Sequence, residues 1–246
     1  MKILIVYAHP EPRSFNGALK DLAVETLRST GQEVVVSDLY AMKFGAVVGT
    51  DDFRCDRADP KFLSIAHEQT HTFKTGAFAA DITAEQQKLL WCDLMIFQFP
   101  MWWFGMPAIL KGWVDRVFAR GFAYMPGHKY DTGLMKGRMA MVSTTTGTSE
   151  DTYAPDGIDG AMIDVLWPIH NGIFRYTGFE VLPPHVAYMP GKIESEARVA
   201  YLTSYKQRLL DIEHTPRLFF HPLSDYGPDE RLKPGIVARS GFQRNV

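Results

Sequence analysis

The stretch ILIVYAHPEPRSFN, residues 3–16, decides the fold class. Its first six residues form a continuous apolar run, which is typical of a strand covered on both faces of a parallel sheet. A polar loop follows, and apolar residues at helical spacing then run from Phe15 to Leu27. A buried strand, a loop and an amphipathic helix in this order indicate the first β–α unit of an α/β protein.

The same alternation continues along the chain. We predict a doubly wound, five-stranded parallel sheet with helices on both faces, in a single domain over residues 1–214. Residues 215–246 form a C-terminal extension with recurring prolines, which we expect to be an irregular tail packed on the same domain or on a dimer partner. The further predicted strands are 33–37, 94–99, 139–144 and 179–182, the last ending at 182 or extending to 188, and the further predicted helices are about 83–91, 107–118, 157–174 and 194–210.

Composition restricts the class of protein. The 246 residues carry a formal net charge of −2, which gives no general attraction to nucleic acid or to anionic lipid. Cys55 and Cys92 are too few for a disulfide framework and lack the spacing of a zinc site, so we expect no structural metal and a reducing compartment. No apolar segment reaches the roughly 20 unbroken residues of a membrane span. These features predict a soluble, cytoplasmic protein.

The first predicted strand ends in the loop that leads into the first helix. Ser14 and Asn16 are suited to cap that helix, and free backbone N–H groups at its start are able to hold a phosphate. Simple helix capping explains the same residues equally well. Neither G-x-G-x-x-G nor G-x-x-x-x-G-K-[ST] occurs in the chain, so a Rossmann dinucleotide fingerprint and an ATP-type P-loop are unsupported.

The third predicted strand is followed by an aromatic loop that contains Trp102, Trp103 and Phe104 between two prolines. Neighbouring side chains in a loop diverge, so these three rings cannot all enter one core. Some of them are expected to line a pocket for a flat ring system, to form a dimer contact, or to do both.

The fourth predicted strand ends in a loop rich in hydroxyl groups, residues 144–149, and Tyr153 follows it. Side-chain and backbone donors of such a loop suit the polar edge of a heterocycle or a phosphate. A plain Ser/Thr turn would have the same composition. All three loops follow strands, which is where ligands bind in open α/β sheets.

His67, Glu68 and His71 match H-E-x-x-H, the helix motif of zinc proteases. The flanking sequence is poorly amphipathic, and no third ligand follows at the spacing that a zinc site requires. We therefore expect no metal centre here, and a metallohydrolase stays a minor alternative that a metal assay would test.

Taken together, these loops and the stretches around them resemble the NAD(P)H:quinone oxidoreductase (DT-diaphorase) family of flavodoxin-like flavoproteins. The resemblance covers about residues 2–216, and its longest part is the block at residues 96–118. The stretches that carry it are LIVYAHPEPRSFN, SDLYAM, IFQFPMWWFGMPAILKGWVDRVF, FAY followed by YD, STTTG, and LWPI with the later GI and GF.

The resemblance implies a homodimer with FAD near the subunit interface. It also implies that hydride passes from NADH or NADPH to the flavin and then to a quinone in the same pocket, and we expect other flat acceptors such as azo or nitroaromatic compounds to be reduced as well. Tyr153 matches the catalytic tyrosine of the family. The implied cofactor-binding residues are His9, Ser14, Phe15, Asn16, Pro100, Met101, Trp102, Trp103, Phe104, Thr145, Thr146, Gly147, Thr148, Tyr153 and Arg198, and the implied substrate residues are Trp103, Phe104, Tyr124 and, from the other subunit, Tyr176.

Four positions depart from the family pattern. Asp159 stands where a histidine assists the tyrosine, so it is expected to accept a hydrogen bond from Tyr153, to be protonated or to face solvent. Thr148 replaces a glycine of the flavin-edge loop, Pro126 replaces a second tyrosine at the substrate mouth, and Ser64 aligns with an adenine-side glutamine. The reaction class therefore follows from the resemblance more firmly than the substrate preference.

Two further interpretations stay open. FMN is a variant of the same hypothesis, although the long segment at residues 41–83 favours FAD. The other is a flavin-binding accessory protein that regulates a membrane transporter and keeps incidental reductase activity, a role that relatives of this fold also have.

Overall fold

The computed structural model describes residues 1–239, and its strands and helices alternate as the sequence predicts. The tail residues 240–246 lie outside the described part. The elements are β1 (Lys2–Tyr7), α1 (Phe15–Ser29), β2 (Glu33–Asp38), α2 (Ile65–Thr75), α3 (Ala80–Trp91), β3 (Leu94–Pro100), α4 (Ala108–Val117), β4 (Met139–Thr146), α5 (Met162–Val165), α6 (Trp167–Ile169), a π-helical turn (His170–Arg175), β5 (Glu180–Val181), β6 (His185–Tyr188) and α7 (Ser195–Leu210).

The strands form one parallel sheet in the order β2-β1-β3-β4-β5, with β6 also paired to β4. Successive residues of β1 face opposite sides: Leu4 and Val6 pack in the apolar cluster that includes Trp113 of α4, whereas Ile3 and Ile5 pack in the cluster that includes Leu19 of α1. Both faces are therefore covered by helices, which explains the unbroken apolar runs. The predicted doubly wound architecture is confirmed.

The number of strands differs from the predicted five. The fifth position of the sheet is shared by two short strands, since β5 pairs with Met139 and Ala140 and β6 pairs with the later part of β4. Pro183 and Pro184 separate them. Because proline has no N–H to donate to a ladder, the predicted extension of the fifth strand to residue 188 is interrupted at Pro183 and Pro184. Within residues 1–239 the sheet therefore has six strands.

Helix α2 is absent from the sequence-based prediction because its inner face is polar. Glu68, Gln69 and Thr72 are its buried residues. Glu68 is 1% exposed, and its carboxylate accepts a hydrogen bond from the Ala58 N–H at 3.1 Å and lies 3.8 Å from Arg57. The glutamate of H-E-x-x-H thus points into the protein while His67 is exposed. Within residues 1–239, no three His, Cys, Asp or Glu side chains are grouped to hold a metal ion.

The predicted helix over 157–174 begins later than expected. Residues 157–161 form turns, and the helical part starts at Met162 and passes through α5 and α6 into the π-helical turn. Gly157 cannot accept a side chain, because a Cβ there would lie 2.4 Å from the Thr152 carbonyl oxygen. The 157–161 segment is thereby packed directly on the loop after β4.

The described part of the C-terminal extension lies on the domain. The Leu218 N–H donates to the Val181 carbonyl at 2.8 Å, and Leu218 and Phe220 pack against the core cluster. The Arg175 guanidinium lies over the Phe220 ring, 5.2 Å from its centroid. These contacts join residues 215–239 to the sheet edge, while the division into two units at residue 214 stays a prediction.

No helix in residues 1–239 combines the length and the apolar character that crossing a bilayer requires.

Candidate active site

The three loops singled out in the sequence converge at one edge of the sheet. In the register of the parallel strands Tyr7 lies beside Gln98, and Pro100 lies beside Thr145, so the carboxyl ends of β1, β3 and β4 are level. The Met101 N–H donates to the Thr145 carbonyl at 2.8 Å, which ties the aromatic loop to the hydroxyl loop. This edge is the expected position of a ligand in a doubly wound sheet.

A buried polar network fixes these ends to one another. Gln98 Nε2 donates to Asn16 Oδ1 at 2.8 Å, and Asn16 Nδ2 donates to Thr145 Oγ1, also at 2.8 Å. Asn16 is only 2% exposed. A buried amide is stable only when its donors and acceptors are paired, and here the pairs link α1, β3 and β4. The Asn16 side chain is therefore used within the protein, and its backbone is the part left to meet a ligand.

The start of α1 is capped and still retains free donors. Ser14 Oγ accepts a hydrogen bond from the Gly17 N–H at 3.1 Å, which makes Ser14 the N-cap. The N–H groups of Phe15 and Asn16 donate to no other described residue. Two free N–H groups at the positive end of a fifteen-residue helix suit an anion. Helix capping and anion binding are thus compatible in this loop.

The loop over residues 9–14 lies so close to α1 that Gly17 has no room for a side chain. A Cβ at this position would lie 1.9 Å from the Pro12 carbonyl oxygen. His9 closes the loop on the other side, with its Nδ1 3.0 Å from the Glu11 N–H nitrogen and its ring 6.3 Å from that of Trp102. Close packing therefore sets the distance between the helix start and the aromatic loop.

We expect the Gly17→Ala substitution to lower the free energy of unfolding by about 2 kcal/mol, because the backbone of residues 9–14 must move to accept the methyl group. Urea denaturation measures this. Gly49→Ala is the matched control, since Gly49 has extended backbone with φ of −159° and no heavy atom near the added Cβ. Equal losses in the two variants would contradict the close-packing argument.

The aromatic loop forms a tight and strained turn. Trp102 and Gly105 exchange two backbone hydrogen bonds, of 3.1 and 3.0 Å, around Trp103 and Phe104. These two residues have φ of 51° and 57°, which lies in the left-handed region that residues other than glycine rarely adopt. Trp103 is 97% exposed, and the flanking rings of Trp102 and Phe104 are about half exposed. Strain and exposed aromatic surface at one turn favour a binding function over a purely structural one.

Tyr153 lies beneath this turn. Its ring is 6.4 Å from that of Phe104 and 5.9 Å from that of Tyr188, and the residue is 9% exposed. The hydroxyl of Tyr153 makes no hydrogen bond to another described residue. Packing therefore holds the ring in place, while the hydroxyl is free to donate to a ligand.

The loop after β4 also has unused donors. Thr146 Oγ1 donates to the Thr148 carbonyl at 2.7 Å, which closes the loop, whereas the N–H groups of Gly147 and Thr148 donate to no other described residue. Both residues are exposed, and a Cβ at Gly147 would meet nothing within 4 Å. These N–H groups are thus accessible at the same edge as the aromatic turn.

Asp159 contacts the hydroxyl loop, not Tyr153. Its Oδ2 accepts a hydrogen bond from Thr148 Oγ1 at 3.2 Å, and Thr152 Oγ1 donates to Thr148 Oγ1 at 3.1 Å. The hydrogen bond from Tyr153 that was considered from the sequence is not formed within residues 1–239, and the donor to Asp159 is Thr148. Two of the positions that depart from the family pattern, Thr148 and Asp159, are therefore direct partners.

Lys192 belongs to the site but was missed in the sequence. Its Nζ donates to the Gly147 carbonyl at 3.1 Å. A single lysine in a surface turn carries no signal in the sequence, and only the fold brings it to this loop. Arg198, predicted near the adenine end of the cofactor, holds the start of α7, where it donates to the Ile193 carbonyl at 2.6 Å and to Ser195 Oγ at 2.9 Å.

Tyr124 and Tyr176 lie together in a second cleft. Their ring centroids are 5.8 Å apart, and Tyr130 packs against Tyr176 at 5.3 Å. The cleft has a volume of about 530 Å³ and includes apolar residues of α2 and α4, among them Ile65 and Val114. Burial raises the pKa of Tyr124 above its usual value, so its hydroxyl stays protonated at neutral pH. No ring contact or hydrogen bond among residues 1–239 joins this pair to Tyr153.

Comparison with known proteins agrees with this architecture. A family model described as flavodoxin-like fold matches residues 1–209. NAD(P)H dehydrogenase [quinone] 1 of Rattus norvegicus is 44% identical over 242 residues, which cover 98% of this chain and 88% of that protein. Ribosyldihydronicotinamide dehydrogenase [quinone] of Homo sapiens is 43% identical over 212 residues, which cover 86% of this chain and 91% of that protein.

A solved structure of a candidate quinone reductase from Klebsiella pneumoniae superposes with a TM-score of 0.94 at 42% identity and covers 98% of both chains. The similarity extends over the full site edge, since it includes the ends of β1, β3 and β4. The matched family, the two relatives and the shared fold show that the chain belongs to the flavodoxin-like family of NAD(P)H:quinone oxidoreductases.

Proposed function

We propose that this protein is an FAD-dependent oxidoreductase that transfers hydride from NADH or NADPH to a quinone by way of the flavin. The observation that carries the proposal is the strained, exposed aromatic turn at Trp103 and Phe104, beside the free N–H groups of Gly147 and Thr148. A flat ring with one polar edge is the ligand chemistry that such a pairing fits. The enzyme names of the relatives support the same reaction class.

The residues present fit a flavin dinucleotide. The free N–H groups of Phe15 and Asn16 suit its pyrophosphate, the aromatic turn suits the isoalloxazine, and the 145–148 loop suits the pyrimidine edge. Helix α2, which lies in the long segment between β2 and α3, adds surface beyond the sheet edge and supports FAD over FMN. The bound flavin would supply hydride acceptance from the nicotinamide and hydride donation to the quinone.

The protein's own groups would orient the flavin and the substrate and would stabilise the negative charge that hydride transfer places on the flavin. Charge develops at the polar edge of the flavin as hydride arrives, and pre-aimed donors stabilise it most when they need no reorganisation. Tyr153 is held by Phe104 and Tyr188 and keeps a free hydroxyl for that edge. The turn at Trp103 sets the stacking distance and excludes water from one face. Quinones, and flat azo or nitroaromatic acceptors, would then bind face-on.

We also propose that the working form is a homodimer. Trp103 is 97% exposed, and the second cleft offers an apolar wall with two tyrosines against which a partner's aromatic turn would pack. Tyr124 and Tyr176 contact each other, so one subunit must supply both to any shared pocket. We therefore propose that the partner supplies both tyrosines, whereas the sequence-based assignment gave it only Tyr176.

The experiment that tests the proposal is the absorbance spectrum of the purified protein, followed by anaerobic addition of NADH or NADPH and then of a quinone. We expect flavin bands that bleach with the pyridine nucleotide and return with the quinone. Chromatography of the released cofactor distinguishes FAD from FMN. A protein that takes up neither flavin, or whose flavin does not bleach, would overturn the proposed function and leave the fold unchanged.

A further inference from the structure

The side chain of Lys192 is fixed against the loop that precedes Tyr153. Its Nζ donates to the Gly147 carbonyl at 3.1 Å, and the N–H of Met189 donates to the Thr146 carbonyl, also at 3.1 Å. The turn after β6 is closed by a hydrogen bond of 2.8 Å from the Lys192 N–H to the Met189 carbonyl. The backbone and the ammonium of one turn thus hold consecutive residues at the end of β4.

This turn is rigid and strained. Met189 has φ of 48°, which is unfavourable for a residue other than glycine, and Pro190 restricts the next position. Such backbone conformations persist where neighbouring structure holds them and are concentrated at functional sites. A lysine on a flexible loop would sample many positions, whereas the one at 192 starts from a fixed backbone.

The hydrogen bond to Lys192 also orients a donor. In a trans peptide group the carbonyl and the N–H point in opposite directions. With the Gly147 carbonyl directed at Lys192, the N–H of Thr148 points away from the lysine, and it donates to no other described residue. Asp159 holds the Thr148 hydroxyl at 3.2 Å and so prevents this residue from rotating freely.

The charge of Lys192 is opposite in sign to the charges of the loop that it contacts. Among residues 1–239 it is the one lysine or arginine whose side chain hydrogen-bonds to the 147–159 loop, and Asp159 is the carboxylate that does so. A positive charge beside the polar edge of a flavin favours its reduction, and a negative charge opposes it. The loop itself carries Glu150, Asp151, Asp156 and Asp159 and no lysine or arginine, so Lys192 brings a positive charge to a loop of negative charge.

We propose that Lys192 is a positioning residue for flavin reduction, an inference that rests on the proposed function. It fixes the Gly147–Thr148 peptide so that the Thr148 N–H faces the cofactor edge. It also places a positive charge beside a loop that otherwise carries carboxylates, Asp159 among them, and so raises the reduction potential of the bound flavin. The expected effect is moderate, since water screens an exposed ammonium.

The test compares Lys192→Gln and Lys192→Arg with the wild-type holoenzyme, and Lys206→Gln serves as a matched control. Lys206 lies exposed on α7, and its replacement changes the net charge equally without touching the site. The midpoint potential of the bound flavin is measured by dye-linked titration, and the rate constant of flavin reduction is measured by anaerobic stopped flow.

We expect Lys192→Gln to shift the midpoint potential to more negative values and to slow flavin reduction roughly tenfold. Lys192→Arg should restore both quantities, and Lys206→Gln should leave both unchanged. An unaltered potential in Lys192→Gln with full flavin occupancy would overturn the inference and leave the proposed function intact. Absence of flavin from the wild-type protein as well would overturn the proposed function, and this inference with it.

Discussion

The Tyr153→Phe variant should reduce its bound flavin about 100-fold more slowly than the wild-type enzyme. The substitution removes one hydroxyl from a ring that Phe104 and Tyr188 hold by packing alone. Because that hydroxyl has no partner among the described residues, its loss leaves no protein group unpaired. The whole effect should therefore fall on the developing charge of the cofactor. Anaerobic stopped-flow spectroscopy at the flavin absorbance measures the rate constant.

Tyr205→Phe provides the control for this prediction. Tyr205 is fully buried in the cluster between α7 and the sheet, away from the 147–159 loop, so removal of its hydroxyl should leave the rate unchanged. Flavin content should be the same in both variants. If Tyr153→Phe reduces its flavin at the wild-type rate, the assigned role is wrong. If this variant loses its flavin instead, Tyr153 contributes to binding and not to hydride transfer.

Acid should destabilise the protein strongly, and His170 and His185 account for this expectation. Burial lowers the pKa of each imidazole from its ordinary value of about 6.5 to about 4, and the positive charge of Arg208 adds to the effect at His185. The unfolded chain therefore binds protons between pH 6.5 and pH 4 that the native state excludes. The stabilisation is fully present above pH 6.5 and is lost as the pH falls through this range. The expected loss is on the order of 3 kcal/mol for each histidine.

Urea denaturation at pH 7.5 and pH 4.5, at one protein concentration, measures the loss. His170→Leu should remove about half of it, since neither ring nitrogen of His170 has a hydrogen-bond partner within residues 1–239 and nothing is left unpaired. His128→Leu is the control, because His128 is exposed. If His170→Leu and His128→Leu lose stability equally with acid, buried His170 is not the cause.

The parts of the fold that follow from apolar patterning were predictable. β1 stands out as an apolar run from Ile3 onward, β3 and β4 each begin with four apolar residues, and α1 shows helical spacing. Since parallel strands end at one edge, the meeting of the loops at residues 9–16, 100–107 and 144–149 also followed from the sequence. The residue roles assigned at that edge stay predictions, each with its own test.

Features that depend on long-range polar contacts were not predictable. α2 buries Glu68 and Gln69, which no hydrophobic pattern reveals, because their partners Ala58 and the Asp115 carbonyl are set by the fold. The pairing of Thr148 with Asp159 spans 11 positions, and that of Lys192 with Gly147 spans 45. Such contacts depend on which loops the fold brings together and on the register of the strands that carry them. The local preferences of a sequence for helix or strand determine neither.

The interruption of the fifth sheet position at Pro183 and Pro184 has a consequence for solubility. An edge strand presents unpaired N–H and C=O groups, and a long, flat edge invites another chain to add a strand. Here the edge consists of a two-residue strand and a four-residue strand with two prolines between them, so an incoming strand would find no continuous ladder. After the interruption, β6 pairs with the last four residues of β4, next to the candidate site, and this pairing places the Tyr188 ring against that of Tyr153. One proline pair thus protects this edge of the sheet against intermolecular β-aggregation and sets the register of the strand that borders the candidate site.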